Sequence, residues 1–375
     1  MRGSMTIATL FGTKVRAHLT FLILLAWVAV SEALSRGAEA AVTGTIFVLL
    51  LFASVVAHEF GHVLVARHYG GHARDILLLP IGGVSRMERM PESPAQELAV
   101  AVAGPAVSIA LGAVLILLVG FPTAQSIENP ALEALVPRLA ATNLFLAAFN
   151  LLPAFPMDGG RALRAVLAMR MDRVGATKIA ARLGHIIAGL FVLLGLISVN
   201  PIILLIGIFI YFGASAEAAD TELRHLAQTI AVSDVMRSNV RTIVSGASLL
   251  DGIELMLQAG QHAIPVIGPD GTLAGVATKD SIIRAVHRSG RGAAIKEAVT
   301  ADVPVIGCNQ KLVDALDLMQ SNSVPAVLVV DSEGQLSGML TSETLFDLMI
   351  VQRPFAKRKP QVTLPHAGVS VPSSG

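Results

Sequence analysis

Residues 52 to 67 read Phe52-Ala-Ser-Val-Val-Ala-His58-Glu59-Phe-Gly-His62-Val-Leu-Val-Ala-Arg67, an apolar run interrupted by two histidines and a glutamate. The run lies in a stretch, about 41–67, long enough to cross a bilayer core of roughly 30 Å as a helix. A charged side chain at the centre of such a helix costs about 2.5–3.5 kcal/mol on insertion scales, so these three residues need a reason to be there. His58 and His62 stand four apart and project from one helix face, one turn above the other, with Glu59 beside that face. In this spacing two imidazoles hold Zn²⁺ and the glutamate handles a proton.

Working outward, five more apolar stretches approach spanning length: about 18–34, 95–120, 137–152, 183–199 and 201–216. The last two are separated only by Ser198-Val-Asn-Pro201 and are predicted to form a helical hairpin. The chain as a whole has 375 residues, 53% of them apolar and only 15% charged. A soluble domain carries about 25% charged residues, so the composition excludes an ordinary soluble globule as well as a disordered chain. A net charge of +1 leaves no broad nucleic-acid-binding surface, and the single cysteine, Cys308, excludes an internal disulfide framework.

Basic residues of the short loops set the orientation. Lys14, Arg16, Arg67, Arg74, Arg86, Arg89, Arg161, Arg164, Arg170, Arg173, Lys178 and Arg182 all fall on one side of the six spans. The other side has only Arg36 and Arg138. The expectation is a multi-pass protein of the cell membrane with both termini cytoplasmic. The opening Met1-Arg-Gly-Ser4 resembles an expression-vector leader, and residues 1–16 are read as a cytoplasmic N-terminus.

Two imidazoles do not complete a catalytic zinc site, which ordinarily has three protein ligands and an open position. His68 and His72 lie in the basic loop after the helix, and His185 at the start of the fifth span reads as an interfacial histidine. Asp158 is the better candidate. It sits in Asn150-Leu-Leu-Pro153-Ala-Phe-Pro156-Met-Asp158-Gly159-Gly160, whose prolines and glycines cannot continue a regular helix. Broken backbone at membrane depth survives only where it is buried in protein or lines a wet cavity. The competing reading of Asp158 is a cap for a helix over 159–167.

These residues resemble the site-2 protease family of intramembrane zinc metalloproteases, over about 17–216. His58-Glu59-Phe60-Gly61-His62 matches the family's zincin-like helix, and Asn150 to Gly160 matches its Asn-x-x-Pro-x-x-Pro-x-Asp-Gly signature. Leu79-Pro-Ile-Gly-Gly-Val-Ser-Arg-Met87 looks like its membrane-associated β segment, and Ala103-Gly-Pro-Ala-Val-Ser108 like its Gly-Pro motif. The resemblance implies His58, His62 and Asp158 as ligands of one Zn²⁺ per chain and Glu59 as the catalytic acid/base. It also implies that Asn150 orients the substrate or stabilises an oxyanion, for which a neutral amide donor is suited. Interhelical hydrogen bonding is the other reading of Asn150 and the preferred one for Asn143. An unwound substrate strand would pair with the 79–87 segment by β-augmentation, unless Gly82 and Gly83 only make a turn.

The second half of the chain carries an internal repeat. Ile264-Pro-Val-Ile-Gly-Pro-Asp-Gly-Thr-Leu-Ala-Gly-Val-Ala-Thr278 recurs as Val324-Pro-Ala-Val-Leu-Val-Val-Asp-Ser-Glu-Gly-Gln-Leu-Ser-Gly-Met-Leu-Thr341. Each copy reads strand, turn, strand, helix, and each follows an amphipathic helix, 249–259 and 312–321. This resembles a tandem pair of cystathionine-β-synthase (CBS) domains. The expected layout is a membrane domain over 17–216, a linker over 217–229, CBS domains over 230–290 and 291–352, and a disordered tail over 353–375. The fold class is therefore a polytopic α-helical membrane domain, six transmembrane helices with a small β segment, followed by an α/β CBS module.

CBS pairs often bind adenosine nucleotides in the clefts between the two copies and often dimerise, so the resemblance makes a nucleotide site and a homodimer expectations. The resemblance points to ATP, ADP or AMP near Thr278, Asp280 and Thr341. The family's ribose-binding aspartate falls at Ser281 and Thr344 here, with Asp280 one place early. A purely structural or dimerising module therefore stays open. The leading functional reading is an intramembrane zinc endopeptidase that cuts membrane-embedded segments of regulatory or signalling proteins under control of the CBS pair. The alternatives are a CBS-regulated transporter or channel for a metal ion, or a non-catalytic metal-binding scaffold.

Overall fold

The computed structural model describes residues 4–345 apart from 81, 90–92, 124–130, 301–302 and 323. The tail, with its Lys357–Lys359 cluster, lies outside the described residues. Contacts divide the chain into two units between Glu222 and Leu223, inside a helix and within the stretch 217–229 read as a linker.

The first unit opens with a hairpin, β1 (Ser4–Leu10) and β2 (Thr13–His18), turned at Phe11 and Gly12 in left-handed conformations. Six helices of the described chain are long and apolar enough to cross a membrane. They are α1 (Leu19–Arg36), α2 (Ala38–His68), α3 (Pro94–Val119), α4 (Leu135–Asn150, led in by a 3₁₀ turn), α6 (Arg173–Ile197) and α7 (Pro201–Ala227). The short α5 (Asp158–Ala168) lies between the fourth and fifth spans. Asp172 caps α6 by accepting from the Gly175 amide, and the Asn200 side chain accepts from Ile202 and Ile203 at the start of α7. Each cap answers amides that the first helical turn leaves without partners.

Two corrections concern the segment after α2. His72 does not sit in a loop but opens strand β3 (His72–Leu79), which turns back into β4 (Gly82–Arg89). The β segment is therefore a full hairpin rather than the single stretch 79–87. With the N-terminal hairpin it makes a four-stranded sheet in the order β1-β2-β3-β4. The β2–β3 pair is parallel and the outer pairs are antiparallel. Val15 and Ala17 of β2, and Ile76 and Leu78 of β3, turn alternately to one face and pack, together with Ala73 beyond a register shift, against Phe52, Phe60 and Val63 of α2. That is the period of two that a half-buried sheet requires. Arg67 at the end of α2 clasps the hairpin by donating to the Phe11 carbonyl and, at 2.7 Å, to the Thr13 hydroxyl.

The second unit contains both repeat copies. One forms the sheet β5 (Ile243–Val244), β6 (Ala263–Ile267), β7 (Leu273–Thr278) and β8 (Val299–Thr300). The other forms β9 (Val305–Gly307), β10 (Ala326–Val330) and β11 (Leu336–Thr341). Helices α8 (Leu249–Ala259) and α9 (Lys279–Ser289) pack on the first sheet, and α10 (Leu312–Asn322) on the second. Ala263 and Val276 of one copy meet Ala326, Leu328 and Met339 of the other in a shared apolar cluster.

Candidate metal centre

His58 and His62 lie in the last third of α2, both buried. Asp158 reaches them from the first residue of α5. Met157 takes the capping position, so Asp158 is not the helix cap. Prolines 153 and 156 break the chain after α4, and the Phe155–Pro156 peptide is cis. Gly159 lets α5 start flush against the loop, because a Cβ there would meet the Leu151 and Leu152 carbonyls at 2.3 Å.

The three donors converge. Asp158 Oδ2 is 3.1 Å from His58 Nε2 and 3.2 Å from His62 Nε2, and the two Nε2 atoms are 3.2 Å apart. The edge of a tetrahedron around Zn²⁺, with bonds of about 2.0–2.1 Å, is about 3.3 Å, so this triangle has the dimensions of one face. The far side of the His62 ring settles which of its nitrogens is free. His62 Nδ1 lies 2.7 Å from the Val100 carbonyl, which can only accept, so the proton is on Nδ1 and the Nε2 lone pair faces inward. His58 Nδ1 lies 2.9 Å from the Ser108 hydroxyl, which can receive the same bond. Both partners come from α3, and such outer contacts fix tautomer and ring orientation at metal sites.

Two lone pairs and a carboxylate thus crowd into one buried triangle, an arrangement that repels itself without a cation and fits one. Space is made by Gly104 of α3, where a Cβ would stand 2.2 Å from His62 Nε2 and 2.6 Å from His58 Nε2. Gly61 likewise lets α2 touch α3, since a Cβ there would strike the Ala103 carbonyl at 2.7 Å. On the opposite flank, Gly83 of β4 runs against Glu59, whose Cγ would lie 2.9 Å from an added Cβ.

The sequence-predicted residues are thus partly assembled. His58, His62 and Asp158 form one cluster, and Glu59 is half-buried between it and β4. Asn150 ends α4, and its amide donates to Leu146 of its own helix. Asn143 is fully buried and bonds Ser54 of α2 at 3.1 Å, as its reading as an interhelical tie expects. In the second unit a cavity of about 400 Å³ is lined by Arg237, His262, Thr341, Glu343 and Thr344, among others. Thr341 belongs to it. Thr278 instead caps α9 with its hydroxyl, and Asp280 is exposed on the first turn of that helix. Sequence reasoning missed Arg237 and His262, which come from outside the repeated stretches. It also assigned no role to Ser108 or Val100, whose only signal was their position around the Gly-Pro motif.

The family model for peptidase family M50 matches residues 46–133 and 119–196, and that for the CBS domain matches 232–288 and 295–350. A zinc metalloprotease of Methanocaldococcus jannaschii is 36% identical over 275 residues, 73% of this chain and 78% of that one. A Synechocystis sp. protein provisionally named a zinc metalloprotease is 30% identical over 92% of this chain and 95% of its own. The solved structure of a site-2 protease from Methanocaldococcus jannaschii is 39% identical, covers 57% of this chain and 95% of that one, and superposes with a TM-score of 0.44.

Proposed function

Since the chain belongs to peptidase family M50, the site-2 protease family of multi-pass membrane zinc metalloendopeptidases, we propose that it cuts membrane-embedded segments of regulatory or signalling membrane proteins at the centre built by His58, His62 and Asp158. The observation that carries this reading is the buried triangle of three donors at 3.1–3.2 Å, with the histidine lone pairs turned inward by Val100 and Ser108. One Zn²⁺ held there supplies Lewis acidity, drawing electron density from a carbonyl oxygen and acidifying water.

The chain's own residues do the rest. Glu59, next to His58 on the same helical turn, accepts the water's proton on a carboxylate oxygen and returns it to the leaving amine. Asn150 commits one N–H to Leu146 and keeps a second for the developing oxyanion. Among the described residues β4 has β3 as its one neighbour in the sheet, which leaves its other edge to pair with an unwound substrate strand and expose the carbonyl that a helix hides. The strand passes Glu59 at Gly83, which brings such a substrate to the proton-transfer group. Both termini face the cytoplasm, and the CBS unit gates the reaction, dimerising and taking an adenine nucleotide in the cavity lined by Arg237 and Thr341. About 400 Å³ falls within the range of small-molecule sites, roughly 300–1,000 Å³.

Bound zinc per chain, measured in detergent, tests the reading without a known substrate. Near-stoichiometric zinc is expected in the parent and in Glu59→Gln, with loss in His58→Ala and in Asp158→Ala. Membranes of cells carrying Glu59→Gln should accumulate uncut transmembrane precursors. Zinc that survives Asp158→Ala, or cleavage that survives Glu59→Gln, would overturn the assignment.

A further inference from the structure

One buried charge cluster takes no part in the proposed hydrolysis. Arg164 of α5 and Glu97 of α3 have side chains only 4% exposed. The guanidinium donates from Nε and Nη2 to Glu97 Oε1, at 2.7 and 2.6 Å, and from Nη1 to Glu217 of α7. Arg173, at the start of α6, holds the other Glu97 oxygen at 3.1 Å. Cζ of Arg164 also stands 5.2 Å from the ring centroid of Phe155, which is fully buried. Burying such ions costs several kcal/mol each, and apolar residues of similar volume are often at least as stable. Stability alone is therefore a poor reason for the cluster.

Its position supplies a better one. Glu97 stands three residues before Val100, the acceptor for His62, on the helix that also brings Gly104 and Ser108 to the histidines. Arg164 stands six residues after Asp158 on an uninterrupted helix, about 9 Å along its axis. With 11 residues, α5 is too short to hold itself, so contacts decide where it lies. At its start these are the close backbone contacts of Gly159 and Gly160 with the 151–155 loop. Further along they include the packing of Leu163 and the buried Ala165, and the bonds of Arg164, whose guanidinium also covers Phe155 of the same loop.

Building on the metal site proposed above, we propose that Arg164 is a positioning residue for that centre. Held between Glu97 and Glu217, it fixes α5, and with it Asp158, at the distance from the histidine pair that metal binding needs. Glu217 extends the brace to α7. The register of Asp158 thereby answers to α7 as well as to α3.

The test uses full-length protein in detergent, with Zn²⁺ affinity read by chelator competition and geometry by the visible bands of the Co²⁺ form. Arg164→Lys separates positioning from stability. Its ammonium still neutralises Glu97 but lacks the planar fork that reaches Glu97 and Glu217 together. The expected result is a melting temperature within a few degrees of the parent, an affinity about tenfold weaker, and shifted Co²⁺ bands. Glu217→Gln, at a partly exposed position that tolerates change, should show a smaller loss in the same direction. Parental affinity and spectrum in both variants, while His58→Ala abolishes binding, would overturn the brace and leave the metal site standing. Affinity losses that merely track lost melting temperature would overturn it too. Parental binding in His58→Ala would remove the metal site itself, and the brace with it.

Discussion

Replacing Gly104 by alanine adds one methyl group at the most crowded point of the first unit. The new Cβ would stand 2.2 Å from His62 Nε2 and 2.6 Å from His58 Nε2. Non-bonded heavy atoms rest about 3.5 Å or more apart, so the overlaps are about 1.3 and 0.9 Å. Either the rings turn away or α3 retreats, by about 1 Å in both cases. Ligand distances at a metal site tolerate about 0.2 Å, so the displacement is several times what the donor triangle can absorb. Zinc affinity should fall by about a hundredfold, the upper end of what disturbed ligand orientation costs at a metal site. Folding should change far less. Overpacking costs about 1–3 kcal/mol, while alanine in place of glycine inside a helix returns about 1. Paired measurements of bound zinc and melting temperature would show the first collapse while the second falls by a few degrees. An alanine variant with parental zinc affinity would refute the close approach of α3 to the histidines, and with it the geometry argued for the centre.

Two further outcomes follow from the same contacts. Ser108→Ala removes the partner of His58 Nδ1 and frees the ring to rotate, so zinc should bind about ten- to a hundredfold more weakly while the fold persists; unchanged affinity would show that Ser108 does not orient His58. Val199, in the turn between α6 and α7, holds φ at 50° and is 86% exposed, a conformation costing a β-branched residue about 1–2 kcal/mol. Val199→Asn should raise the melting temperature, and a fall would mean that the valine side chain makes a contact worth more than the strain.

The legible parts of the chain were those whose cause is local in sequence. Six apolar stretches announce six helices because bilayer thickness converts directly into residue count. The two copies of the strand-turn-strand pattern reappear as β6–β7 and β10–β11 because alternation and turn residues act over a few positions. The N-terminal hairpin escaped notice for the opposite reason. Met5 and Ile7 of β1 remain largely exposed, so the strand shows little of the buried-face pattern that marks a strand in sequence. It joins the sheet through β2, which pairs in parallel with a strand some sixty residues away.

The site divides along the same line. Sequence by itself determined the paired histidines and their glutamate, because helical pitch places residues four apart on one face wherever the helix lies. It also singled out Asp158 as the carboxylate in a broken stretch. Only the tertiary structure decided that Asp158 meets histidines about 100 positions away, that Val100 fixes the tautomer of His62 while Ser108 holds the ring of His58, and that Gly104 leaves room for them. The Arg164–Glu97 pair, 67 residues apart, belongs to the same class. Such contacts depend on which helices become neighbours, and packing inside a membrane is governed by close fit and polar bonds between helices, not by an apolar period written along any one of them.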